Sequence, residues 1–279
     1  MTSHKNPHFK NFIRGLLDKA ELSTKYIDLL TDEKSMIEFT KAFTHKSIDR
    51  VNNYEYYEIL GDATSNKVVV WYYNKRFSQL FDNPEEGNMG PVAIMARLKM
   101  NGIKRETYSK FAGDLGFWNY VQVAEEEEKK RTSILEDTFE AFIGCLEYLI
   151  DMKVADFAGY SIVYIFMSKL MDKVEISLER EELYDPKSLL NEDISKFKKM
   201  LTIQYKTIDK VKEDPSFLER DPNNFKRRFE SRVIVYDKRT DSHYRSGIGY
   251  ASKSKEAEKA AAKLFRDSGI LSKIPKPPS

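Results

Sequence analysis

Cysteine is almost absent from this chain, with Cys145 the single example among 279 residues. One thiol cannot build an intramolecular disulfide framework or a multi-cysteine zinc site. Its position inside an apolar helical run marks it as a small core residue rather than a nucleophile. Long hydrophobic runs are missing too, and nothing approaches the roughly 18 apolar residues of a membrane-spanning helix. The His4-Lys5-Asn6 start lacks the apolar segment of a signal peptide. Together these absences predict an intracellular, cytoplasmic protein, with the nucleus left open, that has no membrane and no disulfide-linked partner.

A strong net charge is also lacking, since the formal total is only +2. That total conceals an asymmetry. Residues 1–185 hold 24 Lys+Arg against 31 Asp+Glu, whereas residues 186–279 hold 22 against 13, so an acidic part at −7 precedes a basic part at +9. A basic C-terminal region suits a polyanionic partner, although a solvated lysine-rich surface would look the same by composition.

Periodicity supports the same division. Phe9, Phe12, Ile13, Leu16 and Leu17 recur at helical spacing within residues 9–30. Further helices are expected over 34–43, 54–77, 92–116 with an interruption near Asn101-Gly102, 134–150 with Thr132 or Ser133 as cap, and 155–174. After Asp185-Pro186 the pattern changes: a helix over 187–200 precedes strands at 202–211, 229–236 and 242–250, then a helix with an alanine face at 255–265. The expected fold class is an all-α domain followed by a small α+β (α-β-β-β-α) domain. The boundaries are 1–180, 181–272 and a proline-rich disordered tail at 273–279.

The chemistry lies in acids set among apolar residues. Glu58 and Asp62 stand four apart in Glu55-Tyr56-Tyr57-Glu58-Ile59-Leu60-Gly61-Asp62-Ala63, and Asp137 and Glu140 stand three apart in a second apolar segment. On helices each pair shares a face, with Cβ atoms about 5–6 Å apart. Such spacing also occurs on ordinary solvated helices. Here Ile59, Leu60, Ile134, Leu135, Phe139, Phe142 and Ile143 place the acids at a core boundary, where unpaired carboxylates are costly. Converging carboxylates suit hard divalent cations, and a pair of such ions supports in-line phosphodiester hydrolysis. Gly61 and Gly144 each cost about 1 kcal/mol relative to alanine inside a helix, which suggests a close approach by another backbone. Glu125–Glu128 reads as a solvated loop, and Thr44-His45-Lys46-Ser47 as a helix cap in which His45 is structural, with RNA contact by His45 as the alternative.

Residues Glu55 to Ala63 resemble the signature motif of the ribonuclease III family, and Asp137-Thr138-Phe139-Glu140-Ala141-Phe142-Ile143-Gly144 resembles its second acidic motif. Thr44-His45-Lys46-Ser47 and Asp185-Pro186-Lys187-Ser188-Leu189 are similar to further family elements, so the likeness covers nearly the whole chain. The resemblance implies a homodimeric, all-helical endonuclease domain and a C-terminal double-stranded-RNA-binding domain. It implies hydrolysis of double-stranded RNA with Mg2+, for which Mn2+ can substitute, leaving 5′-phosphate and 3′-hydroxyl ends with short 3′ overhangs. Glu58, Asp62, Asp137 and Glu140 would be catalytic metal ligands. Glu55 would be an outer acid, and Glu86, with Glu85 as rival, an accessory acid near the partner subunit. Ile59 replaces an aromatic residue that often plugs into the partner. A catalytically inactive scaffold that sequesters duplex RNA is the alternative; loss of a ligand acid would favour it, and all four acids are present.

In the second domain the resemblance marks Glu192, Asn224, Lys253, Lys255 and Lys259 as RNA contacts. Ser254 interrupts a usual pair of lysines, and Asp221-Pro222-Asn223-Asn224 replaces a common Gly-Pro-x-His loop. Such domains read A-form shape and 2′-hydroxyls.

Overall fold

Short local signals set most element ends. In the computed structural model, which describes residues 6–82, 90–197 and 199–275, helix α1 (Pro7–Lys19) opens with proline at its first position, and the Asn6 side chain accepts from the His8 N–H. The run expected over 9–30 is two helices. Glu21 takes a left-handed φ of 62° and separates α1 from α2 (Thr24–Leu30). Asp32 caps α3 (Glu33–Ala42) by accepting from the Ser35 N–H. Then follow α4 (Glu55–Arg76), α5 (Gln79–Asp82), α6 (Pro91–Gly102), α7 (Arg105–Asp114), α8 (Arg131–Lys153) and α9 (Gly159–Met171). Helix α8 begins earlier than its expected cap: a 3-10 helix over Glu125–Lys130 runs directly into it, leaving Thr132 and Ser133 inside the helix.

These helices form one of two compact units, Met1–Ile176. Its interior is unusually rich in phenylalanine. Phe9, Phe39, Phe43, Phe117, Phe139, Phe142 and Phe166 are all at most 1% exposed. Each contributes about 1.5–3 kcal/mol through burial. Phe117 packs at 5.0 Å from Phe43, and Phe142 at 5.4 Å from Phe166, between ring centroids. Cys145 is fully buried on α8, and burial pushes its thiol well above the ordinary range.

The second unit, Ser177–Ser279, is α+β. A short helix α10 (Arg180–Leu183) precedes α11 (Pro186–Ser195), which Asp185 caps by accepting from the Lys187 and Ser188 N–H groups. Strand β1 (Leu201–Asp209) pairs antiparallel with β2 (Phe229–Asp237), with Tyr205 opposite Val233. Between them lie α12 (Lys210–Glu213), α13 (Phe217–Arg220) and a 3-10 helix over Pro222–Arg227. The single third strand expected at 242–250 is two pieces, β3 (Ser242–Arg245) and β4 (Gly249–Ala251), both antiparallel to β2. The split occurs because the Ser246 hydroxyl accepts the Val233 N–H at 3.0 Å, in place of a strand carbonyl. The expected alanine face belongs to α14 (Ser254–Asp267), where Ala257, Ala261 and Ala262 are completely buried. At Gly249 the strand runs against this helix so closely that a Cβ would lie 2.5 Å from the Ala257 carbonyl oxygen.

The tail expected to be disordered from residue 273 is ordered further along. Lys273 closes α15 (Ile270–Lys273), Ile274 is only 3% exposed within the core of the unit, and the Pro275 carbonyl accepts from Arg239 Nη1 at 2.7 Å. An apolar side chain that fills the space beside Phe265 and Leu190 outweighs the entropy of releasing the segment. Among the described residues, no helix is long and apolar enough to cross a membrane.

Candidate active site

Helices α4 and α8 meet through glycine. A Cβ added to Gly61 would collide with the Glu140 carbonyl oxygen and lie 2.6 Å from its carbon and 3.0 Å from the Gly144 nitrogen. One added to Gly144 would strike the Tyr57 carbonyl oxygen and lie 2.7 Å from the Gly61 nitrogen. Backbone therefore touches backbone at this crossing, as the two costly glycines suggested. The consequence is positional: Glu58 and Asp62 on α4 are locked against Asp137 and Glu140 on α8.

Two of these four acids are held by neighbours. Tyr54 Oη donates to Asp137 Oδ2 at 3.0 Å, and Asn66 Nδ2 donates to Asp62 Oδ1 at 2.8 Å. Among the described residues, no side chain hydrogen-bonds or ion-pairs with the carboxylates of Glu58 or Glu140. Burial, then the charges of Asp137 and Glu55, push Glu58 up to about 7 against the pull of Lys46. Burial, then repulsion from Asp62, Glu136, Glu58 and Asp137, pushes Glu140 up to about 8. The Asp137 carboxyl also rises through burial, against the hydrogen bond from Tyr54. The charges acting most strongly on Glu140 are thus all negative. Carboxylate oxygens short of a positive partner are the donor set that hard divalent ions take, and on this ground the residues fit such ions. As the side chains stand, no three His, Cys, Asp or Glu groups among the described residues are gathered closely enough to hold a metal ion.

Glu58 and Asp137 line a cleft of about 720 Å3, together with Glu55, His45, Lys46 and Arg50, whereas Asp62 and Glu140 lie outside its wall. Glu55 stands at the exposed edge, with its carboxylate 2.7 Å from Lys46 Nζ. Glu126 and Glu127 line the cleft as well, so the acidic run expected to be a solvated loop is a 3-10 helix forming part of the wall. The Thr44–Ser47 segment does not cap the start of a helix; Thr44 Oγ1 instead donates to the Thr40 carbonyl in the last turn of α3 at 2.7 Å. The segment follows α3 and forms a parallel bridge between Thr44 and Gln122, while Asn53 Oδ1 accepts the Glu55 N–H at the start of α4. Glu86 and its rival Glu85 lie outside the described residues.

The ribonuclease III domain family model matches residues 55–149, which span both acidic helices. A protein of Invertebrate iridescent virus 6 named as a candidate ribonuclease 3 is 34% identical over 206 residues, covering 69% of this chain and 68% of its own length. Ribonuclease 3 of Oenococcus oeni is 30% identical over 219 residues, covering 77% of this chain and 80% of its own length. The chain belongs to the ribonuclease III family. A further family relative, from Frog virus 3, is 33% identical, and the match spans 66% of this chain and 48% of that protein. As a ribonuclease III-type endonuclease, the chain carries its acids within the segment that the family model covers.

The residues this family resemblance marked for RNA contact occupy different parts of the second unit. Lys253 and Lys255 stand exposed at the start of α14, and among the described residues neither has an ion pair. Lys259 is occupied, 2.9 Å from Glu256 and 3.4 Å from Asp185. Asn224 donates its amide to the Phe217 carbonyl at 2.8 Å, inside the insertion between β1 and β2. The register Phe229 opposite Ala251 brings this insertion to the same sheet end as the start of α14. There Arg227 stacks 4.4 Å over the Tyr250 ring. Glu192 sits half-buried on α11, one residue before Asp193, which accepts from Arg266 of α14 at 2.9 Å.

Some site residues escaped the sequence reading. Asn66 lies four after Asp62 and so was within reach of helical spacing. Tyr54 and Asp137 are 83 residues apart, and Arg105 reaches Glu136 from α7, pairings that no local pattern announces.

The raised carboxyls make a stability prediction. An unfolded glutamate titrates near 4.5, so between 4.5 and 8 the folded metal-free state binds more protons than the unfolded one, and stability falls as pH rises. Melting in chelator should therefore be lower at pH 8 than at pH 6, and added Mg2+ should raise it more at pH 8. A melting temperature that is flat or rising across this range in chelator would contradict the proposed charge crowding.

Proposed function

We propose that this chain is a divalent-metal-dependent endoribonuclease that hydrolyses double-stranded RNA as a homodimer. Magnesium is the working ion and manganese can replace it. The products carry 5′-phosphate and 3′-hydroxyl ends with short 3′ overhangs. The observation that carries this reading is the cluster of cation-starved carboxylates on two helices locked together at Gly61 and Gly144, in a member of the ribonuclease III family.

Glu58, Asp62, Asp137 and Glu140 would hold the ions. Bound there, divalent ions supply an activated water and neutralise charge on the phosphate and the leaving oxygen. Tyr54 orients Asp137, Asn66 orients Asp62, and the Lys46–Glu55 pair borders the cleft. In the second unit, Lys253 and Lys255 combine their charge with the positive end of the α14 dipole, an arrangement suited to backbone phosphates. Recognition by A-form shape and 2′-hydroxyls follows, with binding that weakens steeply with salt. Dimerisation is supported by exposed apolar side chains on α4 of the nuclease unit, where Tyr56 is 59% and Ile59, one turn on, 71% exposed. The one thiol, fully buried, suits the cytoplasm.

An end-labelled perfect RNA duplex, incubated with the protein in Mg2+ and in chelator, tests this function. Discrete products that require the metal are expected. Binding without cleavage in either Mg2+ or Mn2+ would replace the nuclease with a duplex-sequestering protein.

A further inference from the structure

We propose that His45 is a positioning residue that donates an uncharged N–H to an oxygen of the RNA strand lying in the acidic cleft, held in the donating tautomer by the Ser47 backbone N–H. The inference rests on the proposed action on duplex RNA and adds a specific contact to it.

The tautomer follows from one hydrogen bond that can run in one direction only. The Ser47 backbone N–H donates to His45 Nδ1 at 3.0 Å, and a main-chain N–H cannot accept. The Ser47 Oγ lies 2.8 Å from the same nitrogen and accepts the Ala124 N–H at 3.0 Å; a hydroxyl can serve either tautomer, so the main-chain donor is what sets the ring. A neutral imidazole that accepts at Nδ1 carries its proton on Nε2. Burial lowers the His45 pKa below its usual value, with Glu127 acting in the opposite sense, and so favours the neutral ring.

Placement gives that proton a use. The His45 ring lines the cleft that contains Glu58 and Asp137, and stands edge-on at 5.6 Å from the Tyr54 ring, whose hydroxyl holds Asp137. Among the described residues, Nε2 has no hydrogen-bond partner. Lys46 and Lys130 of the same cleft are each tied to a carboxylate, Glu55 and Glu127, at 2.7 Å. An oxygen acceptor entering beside the acids meets this neutral donor together with Arg50, which lines the same cleft. Either a phosphate oxygen or a 2′-hydroxyl oxygen would satisfy it.

A purely structural histidine needs only Nδ1, and amide variants separate the two nitrogens. Asparagine can place an oxygen near the Nδ1 position but no donor near Nε2, while glutamine can place an N–H near Nε2. His45→Asn should stay folded and lose about 10- to 100-fold in duplex cleavage, the effect of one hydrogen bond to a polar or charged group. His45→Gln should remain within a few-fold of the parent. Cleavage by folded His45→Asn within twofold of the parent, or equal damage from both variants, would overturn the assignment. If His45→Asn does not fold, His45→Gln still decides, because a folded but inactive Gln variant also overturns it.

Single 2′-deoxy or methylphosphonate substitutions near the cut identify the acceptor. The parent should be slowed by one of them and His45→Asn should not be slowed further; ordinary additivity at every position would overturn the contact. If the parent cleaves no duplex at all, the proposed function fails separately. The same analogues are then read in binding, where an interference site lost in His45→Asn supports the contact and identical patterns overturn it.

Discussion

Glu140→Gln is expected to abolish cleavage and to stabilise the metal-free protein. The carboxylate it removes is half-buried, has no hydrogen-bonding or ion-pairing side chain among the described residues, and is repelled by Asp62, Glu136, Glu58 and Asp137. Replacing it with a neutral amide of similar shape relieves this repulsion, so the melting temperature in chelator should rise at pH 8 and fall less between pH 6 and pH 8. The same change withdraws one ligand charge from the ions. Losing about 4 kcal/mol or more of transition-state stabilisation slows turnover by roughly 10³-fold or more. Duplex affinity, proposed to rest mainly on the second unit, should be nearly unchanged in an anisotropy titration. A variant that turns over normally in Mg2+, or one that is less stable than the parent at pH 8 in chelator, would remove Glu140 from the proposed role.

Gly61→Ala should damage both stability and activity. Alanine gains about 1 kcal/mol in helix propensity, but the new Cβ meets the Glu140 backbone, which cannot rotate away as a side chain can. Overpacking of this kind costs about 1–3 kcal/mol and sometimes more, and a contact this short lies at the upper end. The clash should win, lowering the melting temperature by several degrees. Parting the helices also moves the Glu58–Asp62 pair away from the Asp137–Glu140 pair, and a displacement of about 1 Å can cost roughly 10²-fold in rate. Gly144→Ala should behave similarly. Combining both should cost less than the sum, since one separation of the helices relieves both clashes. Full additivity, or a Gly61→Ala protein as stable as the parent, would show that the crossing is looser than described.

Much of the nuclease unit was legible because its information is local. Glu58 and Asp62, and separately Asp137 and Glu140, share faces by spacing alone, and the cost of Gly61 and Gly144 already implied a close backbone approach. Asp185-Pro186 marked the change of pattern near which the second unit begins. The errors arose where partners lay far away in sequence. The third strand read as continuous because nothing near Ser246 tells that its hydroxyl will take the Val233 N–H. The tail read as disordered because proline content hid Ile274, which the core beside Phe265 holds. The run Glu125–Glu128 is solvent-facing as read, with Glu125, Glu126 and Glu128 exposed, but it is a 3-10 helix rather than a loop, and only the completed cleft shows that Glu126 and Glu127 border it.

By itself, then, the sequence determined the helical first part, the α+β second part and the identity of the acids. Helical period and alternation depend on neighbours within a few residues. Tertiary structure decided which acids are oriented by Tyr54 and Asn66, and which have no hydrogen-bonding or ion-pairing side chain among the described residues. Those outcomes depend on burial and on hydrogen bonds between elements as far apart as Tyr54 and Asp137, and through-space contacts leave no periodic trace along the chain.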